Sequence, residues 1–341
     1  MIRKILRLGL GLVCCTVPCS AQQVVEQYDE VDGFLRIGPE PDRRMPMTER
    51  GYSLLLPEGP IEAVEGVAVF IDPRRFQSHP LRLEPGSFDS QALGRNLAVL
   101  HITTGNPFDF LFNENEVEEL ADRIGAVLKG ANLESAPVFL AGLSLGGTRV
   151  LRLAAHLSLS GDALPFHLAA VAIVDAPLDM ARLWETERRA AELAFHPAAA
   201  DEGRWVTYLL ETHLGGAPEN ASAPYAEYSP FSHTAPDGGN AALLLDLPTR
   251  AYHEPDVDWW IENRRKSYYD MNSIDLAALI NQLRVLGNEN AQLVSSHARR
   301  AGYPGASPHT WSIVDNEELV EWFLSHASRG ARPNKELMLS R

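Results

Sequence analysis

One short stretch narrows the folds open to this chain. Residues 137–156 read PVFLAGLSLGGTRVLRLAAH. An apolar run at 138–141 meets Gly142-Leu143-Ser144-Leu145-Gly146-Gly147, after which Val150, Leu151, Leu153, Ala154 and Ala155 recur at helical spacing. The pattern is strand, sharp turn, helix, with one serine at the apex. A G-x-S-x-G turn holds its serine in a strained conformation, hydroxyl above the end of a sheet. Gly142 and Gly146 suit that turn because side chains there would collide across it, and Gly147 lets the helix approach the strand. A serine so presented is a candidate nucleophile, and its partners follow in the order acid, then histidine.

The rest of the chain supplies a sheet for the turn to sit on. Apolar runs at 52–57, 67–71, 96–103, 167–174, 247–252 and 291–295 read as strands. Helical spacing recurs at 114–129, 263–269, 274–286 and 316–325, the first of these with acids crowding its first turn. The alternation predicts an α/β fold, a doubly wound and mostly parallel sheet flanked by helices. Residues 178–247 break it with helical spacing at 181–195 and 204–214 amid Gly, Pro, Ser and Tyr. That insertion is too long for a simple crossover and is expected to form a helical cap. The stretch 22–48 is polar and proline-dotted, either draped over the domain or forming a leading strand near 33–37. The expected division is 22–51 as an N-terminal extension, 52–326 as the domain, and 327–341 as a polar tail.

The acid is expected past the strand that follows the cap, where Tyr252-His253-Glu254-Pro255-Asp256-Val257-Asp258-Trp259-Trp260 offers three carboxylates. Asp256 is preferred, Asp258 is the alternative acid and Glu254 ranks third. Asp175, after the preceding strand, is an outside candidate for the same role. The base is expected after the last strand, where a loop leads to His309, with His297 as second choice. One oxyanion donor is the backbone N–H of Leu145, the residue after the nucleophile. The other is expected from the loop Asp72-Pro73-Arg74-Arg75, at Arg74 or Arg75 with Arg74 preferred, because Pro73 has no N–H. Phe108, Phe110, Phe112, Trp184, Trp205, Trp259 and Trp260 are divided between core and acyl pocket, with the larger share expected in the core.

Charge and leader bound the setting. A formal charge of −15 argues against nucleic acid as a partner. Arg3, Lys4 and Arg7 precede a short apolar run and a small-x-small site at Cys19-Ser20-Ala21. Residues 1–21 therefore read as a signal peptide, too short to span a membrane, and the protein is expected to be exported, periplasmic or extracellular. Cys19 as a lipid-anchored N-terminus is the lesser alternative. All three cysteines lie in that leader, so the mature chain is expected to lack thiol chemistry and disulfides. Neither H-E-x-x-H nor G-x-G-x-x-G occurs, and no metal or cofactor is expected.

With these residues placed, the chain resembles the α/β-hydrolase fold family. GLSLGG around Ser144, HEPDVDWW around Asp256 and SPHTWSIVD around His309 are similar to a group of exported bacterial hydrolases of undefined substrate. The resemblance covers residues 52–325. It implies Ser144, His309 and Asp256 as nucleophile, base and acid of a serine hydrolase but supplies no substrate; analogy of fold alone points to a small ester or acyl substrate cleaved through an acyl-enzyme. Peptidase, amidase, thioesterase and acyltransferase chemistry use the same triad, and a non-catalytic binding protein on this fold is the rival class.

Overall fold

A computed structural model of the chain describes residues 21–71, 83–160, 164–296 and 307–327. The stretch read as a drape supplies structure at both ends. β1 (Ala21–Asp29) runs antiparallel to β4 (Arg50–Pro57) at the sheet edge, and a hairpin of β2 (Phe34–Arg36) and β3 (Arg44–Pro46) lies between them. There follow β5 (Gly66–Ile71), α1 (Phe88–Leu93), β6 (Leu97–Thr104), α2 (Glu114–Gly130), β7 (Val138–Leu143), α3 (Leu145–Leu159) and β8 (Leu168–Val174). After β8 come α4 (Met180–Leu193), α5 (Pro197–Leu214), α6 (Ser222–Tyr228) and a 3₁₀ stretch at Pro236–Leu244. The chain closes with β9 (Thr249–His253), α7 (Val257–Arg264), α8 (Ser273–Leu286), β10 (Ala291–Ser295) and α9 (Asn316–Leu324).

Eight strands form one sheet in the order β1-β4-β6-β5-β7-β8-β9-β10. From β6 through β10 every neighbouring pair is parallel, and β4, antiparallel to both β1 and β6, alone runs against the rest. The expected mostly parallel sheet with helices on both sides is what forms. β7 shows why its sequence is apolar without a break. Val138 and Leu140 face α2, α3 and α8, whereas Phe139 and Ala141 face α1 and α9, where Phe139 stacks on Phe323 at 4.9 Å. A strand covered on both faces has no polar side to show.

The segment between β8 and β9 builds a third apolar cluster. Leu183, Trp184, Trp205, Leu209, Tyr225 and Tyr228 pack there with Phe110 from the loop after β6 and Ile37 from the hairpin. α4 and α5 lie so close at Gly203 that a Cβ there would stand 2.2 Å from the Glu187 carbonyl oxygen. α5 begins at Pro197 rather than at residue 204, because Pro197 takes the first turn and His196 Nδ1 accepts from Ala199 N at 3.3 Å. The helix expected over 263–269 is displaced. α7 ends at Arg264, Arg265 turns left-handed at φ 54°, and a short 3₁₀ turn follows at Tyr268–Asp270. No helix of the described residues is long and apolar enough to cross a membrane.

Candidate active site

Ser144 stands between the end of β7 and the first residue of α3 with φ 56° and ψ −130°. A non-glycine residue there is strained and persists only where the surroundings impose it. They do so from both sides. Ser144 N donates to the Val174 carbonyl on β8 at 2.9 Å, and its own carbonyl takes Gly147 N at 2.9 Å. A Cβ on Gly142 would come within 2.3 Å of the Gly146 carbonyl carbon, and one on Gly147 within 2.6 Å of Ala176 Cβ. Gly146 differs from the expectation, since a Cβ there meets nothing nearer than the Ile71 carbonyl oxygen at 3.5 Å. The Ser144 hydroxyl does not cap α3. Leu145 opens α3, and its N–H belongs to the first turn, whose amides have no acceptor within the helix.

His309 lines the same cavity as Ser144 and Leu145. Its backbone N–H donates to Ser307 Oγ at 3.1 Å, and its Nδ1 lies 2.6 Å from Asp175 Oδ2. A carboxylate can only accept, so Nδ1 carries the proton and Nε2 is the nitrogen left for exchange. Burial lowers the imidazole's proton affinity. The charge and hydrogen bond of Asp175, with Glu202 adding and Lys266 opposing, reverse that, and the net shift is upward from the ordinary histidine value.

The acid of this pair corrects the sequence expectation. Asp256 is the acid the sequence favours for His309, but the single Nδ1 proton goes to Asp175, which directly follows β8. Asp256 is the N-cap of α7, its Oδ1 accepting Trp259 N at 2.9 Å. Asp258 is exposed in the first turn of that helix. The geometric reason lies in strand order. β8 is hydrogen-bonded to β7, whereas β9 is one strand farther out, about 5 Å more. Asp175 is gripped through its backbone, N donating to the Tyr252 carbonyl and its own carbonyl accepting Asn272 Nδ2, both at 2.9 Å. It too has positive φ, 40°. A signal was present in the sequence: an aspartate closing the strand next to the elbow strand, followed by Ala176-Pro177. Glu254 is buried beside β9. Arg74, the second oxyanion donor expected, and His297, the second-choice base, lie outside the described residues.

The cavity above Ser144 measures about 220 Å³. Phe110, Leu183, Trp205 and Val206 give it an apolar wall, and Trp260, Lys266, Glu187 and Glu202 a polar one. Lys266 Nζ pairs with Glu187 Oε1 at 2.8 Å within that wall. The other aromatic candidates pack behind it: Phe108 stacks on Trp205 at 3.8 Å, Phe112 on His213 at 4.2 Å, and Trp184 and Trp259 are buried. Arg149, buried on α3, bonds the Asp109 carbonyl and, at 3.4 Å, the Ile71 carbonyl that ends β5. Among the described residues no group of three or more His, Cys, Asp or Glu side chains could hold a metal ion.

Solved structures share this architecture. An acylaminoacyl peptidase from Pyrococcus horikoshii superposes over 89% of this chain with TM-score 0.50 and 10% identity. This chain has the α/β-hydrolase fold. It spans 45% of that peptidase's own length. A putative hydrolase from Legionella pneumophila matches 91% of this chain and 90% of its own at TM-score 0.49 and 12% identity. An esterase from Pyrococcus furiosus matches 89% and 92% at 0.47 and 11%. No protein-family profile and no curated relative matches the sequence.

Proposed function

We propose that the protein is an exported serine hydrolase that cleaves compact carboxylic esters through an acyl-enzyme. The observation that carries this is the 2.6 Å contact of His309 Nδ1 with Asp175, made by a histidine that shares its cavity with a strained serine. In the reaction His309 Nε2 takes the Ser144 Oγ proton as the oxygen attacks the ester carbonyl. The Leu145 N–H donates to the oxyanion; the second donor, expected at Arg74, lies outside the described residues. Collapse breaks the C–O bond to the alcohol, which leaves with the proton that His309 returns. His309 next deprotonates a water, which attacks the acyl carbon, and Ser144 regains its proton as the acid departs. Asp175 stays ionised throughout, holding the imidazole tautomer and stabilising the imidazolium.

The cavity supports a small substrate. Its roughly 220 Å³ lie below the usual range for drug-sized ligands. The apolar wall from α4 and α5 suits a short acyl or aromatic group. A fluorophosphonate probe tests the proposal: the folded protein should be labelled and Ser144→Ala should not. A series of p-nitrophenyl esters should then show turnover that falls with acyl length. Folded wild-type protein that takes no label would end this reading.

A further inference from the structure

We propose that Asp275, on α8 and not among the residues that line the cavity, is the positioning residue that holds Asp175 against His309. The inference rests on the triad reading above. Asp275 is fully buried and accepts five hydrogen bonds. Its Oδ2 takes Leu178 N at 2.9 Å, Asp179 N at 3.1 Å and Arg182 Nη2 at 2.6 Å. Its Oδ1 takes Arg182 Nε at 2.5 Å and His233 Nε2 at 3.0 Å. Two of these go to the backbone of the loop that leaves Asp175. One helical turn earlier, Asn272 Nδ2 holds the Asp175 carbonyl at 2.9 Å.

The start of α8 thus grips both ends of the loop 175–179. A third anchor comes from the nucleophile's own helix, where Thr148 Oγ1 donates to the Pro177 carbonyl at 2.6 Å. The loop therefore has a fixed place relative to Ser144. It needs one, because Asp175 sits at φ 40°, a left-handed conformation uncommon outside glycine. A buried carboxylate meeting two backbone amides and a bidentate guanidinium has all its lone pairs engaged, so the grip is stiff. Burial opposes the charge of Asp275, but Arg182, His233 and the Leu178 amide hold its carboxyl below the ordinary range. The arginine also neutralises it, so Asp275 acts on the histidine through the loop rather than through its own field.

The test follows fluorophosphonate labelling of the full chain as a rate against pH. In wild type the acid limb reports His309, which faces Asp175, Glu202 and Lys266. Asp275→Asn should lower the labelling rate at pH 7 by about 10- to 100-fold and move the limb down toward about 6.5. Asn272→Ala removes no charge and should move the limb the same way by less. Leu279→Ala empties a buried site on the same helix and should lower Tm while leaving the limb in place. A folded Asp275→Asn with wild-type rate and limb would overturn the inference, as would Leu279→Ala moving the limb equally. If Asp275→Asn does not fold, Asn272→Ala decides by the same limb. Unlabelled wild type would remove the triad reading itself, a failure seen before any variant is made.

Discussion

Asp175 Oδ2 meets His309 Nδ1 at 2.6 Å across 134 residues of chain. The carboxylate comes from β8, immediately beside the nucleophile strand, and its chain then leaves for the cap. Asp175, His309 and Ser144 therefore lie at the end of β8, after β10 and at the end of β7. α4, α5 and α6 run between Asp175 and β9, so the loop that carries Asp175 also leads into helices that line the cavity.

Removing the acid separates Asp175 from its sequence rival. Asp175→Asn keeps the shape but deprives the imidazole of its counter-charge, and ester turnover should fall by about 10⁴-fold. Asp256→Ala should lose only the cap of α7, about 1 kcal/mol of stability, with turnover near wild type. Steady-state rates with a p-nitrophenyl ester, beside thermal melts, measure both. The reverse ranking would return the acid to Asp256.

The pH dependence follows from the raised imidazole. Only neutral His309 can accept the serine proton, so activity should be lost as pH falls through a midpoint above about 6.5. Stability has the opposite sign. The Asp175–His309 pair contributes fully below the unfolded imidazole value and its contribution disappears as pH rises through the higher folded one. Histidine C–H resonances followed by NMR against pH, compared between wild type and His309→Gln, should locate that midpoint. A midpoint below about 6 would contradict the pairing.

Much of this was legible because apolar periodicity dictates it. A strand covered on both sides, such as β7, and a helix with one apolar face, such as α2, write themselves into sequence. Ser144 was legible for the same reason, with Gly142 and Gly147 excluding side chains on either side of it. The acid was not, because an aspartate that caps a helix and one that orients an imidazole look alike in a loop. HEPDVDWW reads as an open turn, yet its Asp256 starts α7 by taking Trp259 N. Which strand end reaches His309 depends on spatial order, and β9 lies one strand beyond β8. Asn272, Asp275 and Thr148 leave no mark in the sequence, because the groups they hold lie far along the chain.

The glycines of the elbow are not equivalent. An alanine methyl at Gly142 would lie 2.3 Å from the Gly146 carbonyl carbon and 2.4 Å from its oxygen, backbone atoms that cannot turn aside. Gly142→Ala should cost about 3 kcal/mol and lower the melting temperature accordingly. Gly146→Ala meets its nearest neighbour at 3.5 Å, an ordinary contact, and should stay within about 0.5 kcal/mol of wild type. Chemical denaturation of the two variants compares them directly. Equal losses would mean that the turn is less tightly closed than the Gly142–Gly146 approach implies.

Strain at the nucleophile gives a last expectation, in which stability and activity part. Ser144 keeps φ 56° and ψ −130° because β8 and α3 fix its amide and carbonyl. A non-glycine residue there costs about 1–3 kcal/mol. Glycine adopts the same angles without a Cβ clash, at an entropic cost of about 0.5–1 kcal/mol in the unfolded chain. Both Ser144→Gly and Ser144→Ala lack the nucleophile and should take no fluorophosphonate. The alanine variant keeps the Cβ and its strain, so the glycine variant should be the more stable of the two, by about 1 kcal/mol. Urea titrations of both proteins read the difference. A glycine variant no more stable than the alanine variant would show that the elbow is unstrained, and the serine's presentation would then need another cause.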